Sequence, residues 1–235
     1  MKTIVVVPTY NEKDNIEGLI KNLLMYEVDI VVVDDNSPDG TWQIVDNLSK
    51  SNKRVTLLRR FNERGRGTAG VAGFKYAIQK GYDNIIEMDA DFSHNPDEIP
   101  RFLEAIKISD LVLGSRLIKR GRQIGRSTYR KALTLAANFY ISLILGIKIR
   151  DCNSGYRCFR RKVLEEINLD KVTSTGPSIV QEILYKAHLK KFKIIEIPII
   201  FTERRLGSSK LGMRHLYKGY VRVLSLKWEH LTGKI

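Results

Sequence analysis

Asp89-Ala90-Asp91 sets two carboxylates one residue apart, directly after the apolar run Ile85-Ile86-Glu87-Met88. Read as a strand, residues 84–88 deliver both acids to its carboxyl end, and in an extended chain residues i and i+2 point to the same side. Like charges held that close repel, and burial makes both costly. A hard divalent cation, Mg²⁺ or Mn²⁺, relieves the repulsion. Mg²⁺ usually takes one or two carboxylates and completes its shell with phosphate oxygens. The chemistry expected is therefore a metal bridging protein to a diphosphate. Taken alone the tripeptide reads better as a solvated loop ahead of a helix cap, so the surrounding chain has to decide.

Other short segments could share that site. In Pro8-Thr9-Tyr10-Asn11-Glu12, Tyr10 can stack on a base and Glu12 can accept from base or ribose donors. In Asp34-Asp35-Asn36-Ser37-Pro38-Asp39-Gly40, Asp35 can accept from ribose hydroxyls, with Asp34 facing solvent and residues 37–40 turning into a helix. Gly65-Arg66-Gly67-Thr68-Ala69-Gly70 matches the dinucleotide fingerprint letter for letter. A polar loop, residues 61–64, separates it from the preceding strand. It therefore reads as a loop whose amides approach a phosphate or sugar, or equally as a plain helix entry. Arg204 and Lys210 lie in a loop rich in glycine and serine, suited to closing over a diphosphate.

The elements that must position these segments alternate. Strands are expected over residues 3–7, 29–33, 55–59, 84–88 and 111–114, and helices over 13–25, 41–49, 68–80 and 96–106. The strand runs are rich in Val and Ile without polar alternation, as in strands buried on both faces. The fold class expected is α/β, a mostly parallel central sheet flanked by helices, with ligands beyond the carboxyl ends of its strands. Residues 116–131 then carry seven cations and no acid, and an apolar helix, 132–147, follows with no polar stripe. A helix near 178–189, a strand pair near 193–201 and a basic tail complete the chain, read as a single domain with halves 1–115 and 116–235.

The chain has 235 residues and a formal net charge of +14, which points to an anionic partner. No RNA-binding signature accompanies the charge, so nucleic acid is not the expected partner. Two cysteines, Cys152 and Cys158, make neither a disulfide framework nor a zinc site. No signal-peptide pattern is seen, and the 132–147 run is shorter than the ~20 residues a spanning helix needs. Cations beside an apolar helix suit an anionic head group with a greasy tail. The expectation is a cytoplasmic protein, peripheral on an anionic membrane surface.

Together these segments resemble the inverting family 2 glycosyltransferases of the GT-A fold, and within them the dolichyl-phosphate mannosyltransferases and other polyprenyl-phosphate sugar synthases. The runs that carry the resemblance are PTYNE (8–12), VVVDDNSPDGT (31–41), GRGTAG (65–70), MDADFSHNP (88–96), GSR (114–116), DCNSGYRCFRR (151–161) and EIPIIFTERRLGSSKLG (196–212). The resemblance implies a Rossmann-like GT-A sheet and transfer of a sugar, mannose from GDP-mannose, to dolichyl or polyprenyl phosphate with Mg²⁺ or Mn²⁺. It implies that Pro8, Tyr10, Glu12, Val33 and Asp35 hold the nucleoside. Asp89, Ala90 and Asp91 match the segment binding metal and diphosphate. Arg116, Arg204 and Lys210 match positions contacting donor or acceptor phosphates, and Arg130 and Thr134 match acceptor-phosphate positions.

The chain departs from the family pattern in four places. Ser93 stands where some relatives have Gln near the metal, leaving the third ligand open. Gly70 replaces an aromatic, Val180-Gln181 replaces a Gln-x pair before Glu182, and no transmembrane tail follows. A separate membrane subunit is a further expected partner. Because the acceptor phosphate is anionic near neutral pH, a general base is not required; Asp151 and Glu182 are the fallback candidates. Competing readings are a UDP-glucose-dependent or hydroxyl-directed glycosyltransferase, a nucleotidyltransferase, and a basic nucleic-acid-binding protein.

Overall fold

The computed structural model describes residues 1–203 and 213–235, with side chains described for all of these except 213–218. Arg204 and Lys210 lie outside the described residues. The chain runs β1 (Thr3–Thr9), α1 (Lys13–Leu23), β2 (Asp29–Asp34), α2 (Thr41–Ser51), β3 (Val55–Arg59), α3 (Arg66–Gln79), β4 (Asn84–Glu87), α4 (Ile99–Ala105) and β5 (Leu111–Ser115). It continues through β6 (Arg122–Ile124), α5 (Thr128–Leu145), β7 (Arg157–Arg160), α6 (Arg161–Glu166), α7 (Ile179–Leu189), β8 (Ile194–Pro198), β9 (Ile200–Thr202) and α8 (Met213–Leu231).

A seven-stranded sheet has the order β3-β2-β1-β4-β7-β5-β8, and β6 pairs with β9 in a two-stranded one. Only β7 runs antiparallel to its neighbours in the large sheet. The β-branched runs of β1 and β2 are buried on both faces. Val6, Val31 and Val33 join one core with Phe74 and Phe159, while Val5, Val7 and Val32 join the other with Phe102 and Tyr156. Strand order reverses between β1 and β4, and open α/β sheets bind ligands beyond the strand ends at such a switch point. The loops that leave β1 and β4 are residues 10–12 and 88–95, which hold the candidate chemistry.

The structure differs from expectation in the second half. Residues 157–160 form a strand, inserted between β4 and β5, with Phe159 in register with both Ile85 and Leu111. The expected strand pair near 193–201 consists of β8 and β9, which pair with β5 and β6 and not with each other. The apolar helix begins earlier, at Thr128, capped by the Ser127 hydroxyl on the Arg130 amide and closed by Gly146 at φ 70°. Arg130 therefore lies within the helix, one turn before Thr134. Most of the basic tail is helical, as α8. No helix among the described residues is long and apolar enough to cross a membrane.

Candidate active site

The loops beyond β1, β2, β4 and β5 converge on one cleft of about 750 Å³, within the ~300–1,000 Å³ usual for small-molecule sites. Pro8, Tyr10, Glu12, Asp35, Asp89, Ala90, Asp91, Ser93, Arg116 and Arg130 all line it. Val33 and Thr134 do not: Val33 is fully buried in the sheet core, and its carbonyl accepts from the Thr9 hydroxyl.

At one end, the loop after β1 is stitched to the loop after β2. The Asn11 amide donates to Ser37 Oγ at 3.0 Å, and the Glu12 amide to Thr41 Oγ1 at 2.9 Å. The Arg64 guanidinium lies 5.1 Å over the Tyr10 ring, making a slot with an aromatic face. The expectation of a solvent-facing Asp34 is corrected. Asp34 is fully buried and accepts from the Thr9 hydroxyl and from both the amide and hydroxyl of Ser37. The reason is register: Asp34 is still paired in the sheet, opposite Thr9. Asp35 is the acid that reaches the cleft, held by Arg60 and by the Gly65 amide at 2.8 Å.

The glycine run settles as a close-packed helix entry that also forms cleft wall. Gly65 has φ 141°, a conformation that strains any L side chain. A Cβ on Gly67 would lie 2.7 Å from the Thr175 carbonyl carbon and closer still to the Ser174 carbonyl oxygen. The Gly67 amide donates to Thr175 at 3.0 Å. Gly70 abuts a buried acid, since its Cβ would stand 3.2 Å from Glu87 Oε1. A large side chain there would have to displace Glu87.

The floor is acidic. β4 ends at Glu87, and residues 90–94 bend away, so the Asp89-Ala90-Asp91 pair is not in extended strand as the alternation argument supposed. Instead Asp91 Oδ1 turns to accept the Ser93 amide at 3.1 Å. Glu87 and Asp89 share a partner, Arg66, which donates to Asp89 Oδ1 from Nε (3.2 Å) and Nη2 (3.0 Å) and reaches Glu87 Oε1 at 3.3 Å. Burial alone would lower the Arg66 pKa, but Asp89 and Glu87 hold it above its ordinary value. Burial pushes the Glu87 carboxyl up. His94 accepts the Asp89 amide on Nδ1 at 3.0 Å and stacks on Tyr156, 5.0 Å between ring centroids. Burial pushes its pKa down, against the pull of Asp89 and Asp91.

The donor set fits a divalent cation. Asp89 and Asp91 are two carboxylates on one floor, with Ser93 beside them, and one or two carboxylates are what Mg²⁺ takes when phosphate oxygens complete its shell. No cluster of three His, Cys, Asp or Glu side chains that could hold a metal forms among the described residues. The protein would therefore supply a partial shell.

Another part of the lining is cationic. Arg116 is 10% exposed and grips Asp151 at 2.7 Å through both Nε and Nη2, while its amide donates to the same carboxylate at 3.0 Å. Arg130 pairs with Glu203. Arg126 donates to Gln123 Oε1 and Thr134 Oγ1, both at 3.0 Å. Arg116 and Arg126 lie 5.2 and 5.6 Å over one ring, Phe201.

Both fallback bases are corrected. Asp151 is fully buried beneath Arg116 and does not line the cleft. Glu182 is also fully buried, and accepts from the Ser174 amide and hydroxyl and from the Thr173 amide, with Lys186 and Arg222 beside it. It fixes the 173–176 loop on which Gly67 packs. Val180 lines the cleft, whereas Gln181 holds Asn153, a lining residue, at its side-chain oxygen.

Arg66, His94, Arg126 and Asn153 also line the cleft without having been singled out from sequence. Arg66 sits inside the glycine run and His94 three residues past Asp91, so proximity to a motif marked both. Nothing distinguished Arg126 from its basic neighbours.

The sequence profile of Glycosyl transferase family 2 matches residues 4–168. An undecaprenyl-phosphate mannosyltransferase of Micrococcus luteus is 36% identical over 241 residues, covering 100% of this chain and 99% of that protein. A dolichol-phosphate mannosyltransferase of Pyrococcus furiosus is 39% identical, covering all of this chain and 66% of that protein. Among solved structures, a mannosyltransferase from Pyrobaculum calidifontis in complex with GDP-Man and Mn²⁺ superposes with a TM-score of 0.63 at 18% identity, over 98% of this chain and 64% of that one. Glucosyl-3-phosphoglycerate synthase from Mycobacterium tuberculosis, in complex with Mn²⁺ and UDP, gives 0.67 at 15% identity, over 96% and 78%. These likenesses place the fold among the GT-A glycosyltransferases.

Proposed function

The chain belongs to glycosyl transferase family 2, and we propose that within it the protein transfers mannose from GDP-mannose to a polyprenyl or dolichyl phosphate. The observation that carries this reading is the make-up of one cleft: acids at Asp89 and Asp91, an aromatic slot at Tyr10, and a wall of arginines, all lining the same space. Relatives matched over the whole of this chain are named as undecaprenyl-phosphate and dolichol-phosphate mannosyltransferases.

Tyr10, Glu12 and Asp35 hold the nucleoside, and Asp89 and Asp91 hold a divalent ion, Mg²⁺ or Mn²⁺. That ion, when bound, stabilises charge on the leaving diphosphate. Arg66 fixes the Asp89 carboxylate, and the Asp89 amide is fixed by His94. The arginines position an acceptor phosphate that is already anionic, since its second pKa is about 6. Positioning then replaces deprotonation, which fits the removal of Asp151 and Glu182 from the roster of bases. Attack opposite the leaving group inverts the anomeric carbon.

The lipid is reached from the membrane surface. α5 exposes Tyr129, Leu133, Leu135, Phe139 and Leu143, and α8, packed against it through Tyr140 and Tyr220, exposes Val221, Leu224, Trp228 and Leu231. An apolar face beside cations lies in the interface and favours anionic lipid.

The test is incubation with Mg²⁺ or Mn²⁺, labelled nucleotide sugars and polyprenyl phosphate, followed by organic extraction. Mannose label in the lipid phase is expected from GDP-mannose, and no label from any donor overturns the reading. Flotation with anionic vesicles checks the membrane face. Phe139→Glu and Leu143→Glu should abolish binding. Binding unchanged by both would leave recruitment by a separate membrane subunit as the route.

A further inference from the structure

We propose that Asn153 reads the hydroxyl groups of the transferred hexose, and that Gln181 is the positioning residue that presents it. This rests on the function proposed above and names a residue that sets the sugar preference of the same cleft.

Placement gives the first reason. Asn153 lines the cleft, in the stretch of chain that joins its acids to its arginines. Two residues before it, Asp151 grips Arg116. Two residues after it, Gly155 packs on the groups that hold Asp89. A Cβ there would lie 2.6 Å from Arg66 Nη2 and 3.5 Å from His94 Cε1. Two residues of chain span at most ~7 Å, so Asn153 stands within a hexose's reach of both. A sugar in transfer lies between the diphosphate it leaves and the phosphate that attacks it. With the first on Asp89 and Asp91 and the second on the arginines, that sugar lies against Asn153.

The second reason is a relay of three amides that starts from one main-chain carbonyl. Asn138, buried on α5, donates from Nδ2 to the Thr134 carbonyl at 2.8 Å. Its Oδ1 therefore faces the other way and accepts from the main-chain amide and the Nδ2 of Asn153, both at 3.2 Å. That turns Asn153 Oδ1 toward Gln181, whose Nε2 donates to it at 2.5 Å. Reversing any one of the three side chains would set two oxygens face to face. The Asn153 amide is thus fixed in one orientation, with one Nδ2 proton and one Oδ1 lone pair unused among the described residues. A donor and an acceptor side by side suit neighbouring ring hydroxyls in one configuration. A site built to bond a hydroxyl discriminates against ligands that misplace it, because its own polar groups are left unpaired.

Gln181 carries the cost of this arrangement. It is buried on α7, and its Oε1 has no partner among the described residues. An unmade buried hydrogen bond is destabilising, and each one in a folded protein calls for an explanation. Holding Asn153 supplies it, since among the described residues that is the one hydrogen bond the Gln181 side chain makes.

Titration calorimetry on the full chain with Mn²⁺ compares GDP-mannose with GDP, so that the sugar's share of binding is read by difference. Asn153→Ala should weaken GDP-mannose about tenfold, the range for one or two neutral hydrogen bonds. GDP binding should stay unchanged, which also shows that the variant is folded. The preference for GDP-mannose over GDP-glucose in kcat/KM should fall by a similar factor. Gln181→Leu should shift both in the same direction by less, and add nothing in the Asn153→Ala background. Its melting temperature should hold, because the orphaned oxygen leaves with the lost hydrogen bond. A lower melting temperature with an unchanged sugar preference would make Gln181 merely structural and refute its positioning role. Equal weakening of GDP and GDP-mannose by Asn153→Ala, or an unchanged sugar preference, overturns the assignment while leaving the transferase reading intact. If the unmodified chain instead loads the lipid from UDP-glucose, the GDP-mannose reading falls, and the same variants titrated with UDP and UDP-glucose decide this one. No lipid-linked sugar from any donor overturns both.

Discussion

Asp151→Asn separates a positioning carboxylate from a catalytic base. The side chain is fully buried and accepts three hydrogen bonds from Arg116, two of them at 2.7 Å and charge-assisted. Asparagine keeps the shape but turns one oxygen into a donor, which then faces a guanidinium donor. Arg116 is left as a largely buried cation without its carboxylate. Breaking a buried pair by removing one partner costs ~3–5 kcal/mol, and the oxygen that remains still accepts, so a loss of about 3 kcal/mol is expected. At roughly 2–4 °C per kcal/mol for a chain of this size, the melting temperature falls by about 10 °C. The same loss felt at the transition state lowers kcat/KM roughly 150-fold. The assay is kcat/KM for transfer against pH, with differential scanning calorimetry on the same samples. A positioning role predicts a scaled-down profile of unchanged shape. Adding Arg116→Met should recover most of the stability, because both charges are gone, without recovering activity. Loss of the acidic limb of the profile with an unchanged melting temperature would refute the argument and return Asp151 to the role of base.

Further outcomes follow from the same geometry. Gly67→Ala should destabilise by ~1–3 kcal/mol and weaken GDP binding, measured by calorimetry, because its Cβ meets the backbone of residues 174 and 175. Arg66→Leu removes the cation shared by Glu87 and Asp89. The floor should then bind Mn²⁺ at least about fivefold more tightly, ~1 kcal/mol of lost repulsion, as read by the paramagnetic resonance of free Mn²⁺, while kcat falls. Glu182 has its pKa lowered: burial would raise it, but hydrogen bonds from Ser174 and Lys186, with Arg222, outweigh that. A carboxyl whose folded pKa is depressed contributes stability above its ordinary value of 4.5 and loses it as pH falls through the folded pKa. The melting temperature should therefore drop on acidification below about 4.5, and less steeply in Glu182→Gln.

The first half of the chain was legible because its signals are local. β1, β2 and β4 are dense in Val and Ile, and each is followed within two residues by polar residues, so strand and site come from neighbouring letters. The second half was obscured where its logic is non-local. β7 reads Arg-Cys-Phe-Arg, yet Arg157 is fully buried because it donates to the carbonyls of Ser154, Cys152 and Val180. Burial brings its pKa down to about 10. No sequence pattern announces carbonyls arriving from a loop and from α7. Asp151 and Arg116 meet across 35 positions, so a carboxylate that looked like a spare base is the clamp on an arginine. Asp34 was misplaced for a smaller reason: the parallel ladder runs one residue further than the apolar run, which buries Asp34 in the sheet while Asp35 lines the cleft.

Pairing on the arginine wall also bears on the turnover proposed above. Among the described residues Arg116, Arg126 and Arg130 line it, and Asp151 and Glu203 pair with Arg116 and Arg130. Sugar transfer turns the acceptor's phosphate monoester into a diester, whose single charge is smaller than the monoester's ~1.5 to 2 near neutral pH. A wall with all three charges free would hold that product more firmly in absolute terms and slow its release. A wall whose arginines are fixed by carboxylates keeps the geometry that orients the attacking oxygen while weakening its hold on the product. Glu203→Gln, which frees Arg130, should accordingly tighten binding of the lipid-linked product more than it speeds the chemical step, giving a lower kcat with a stronger initial burst. A higher kcat without a burst would show that the pairing serves structure alone.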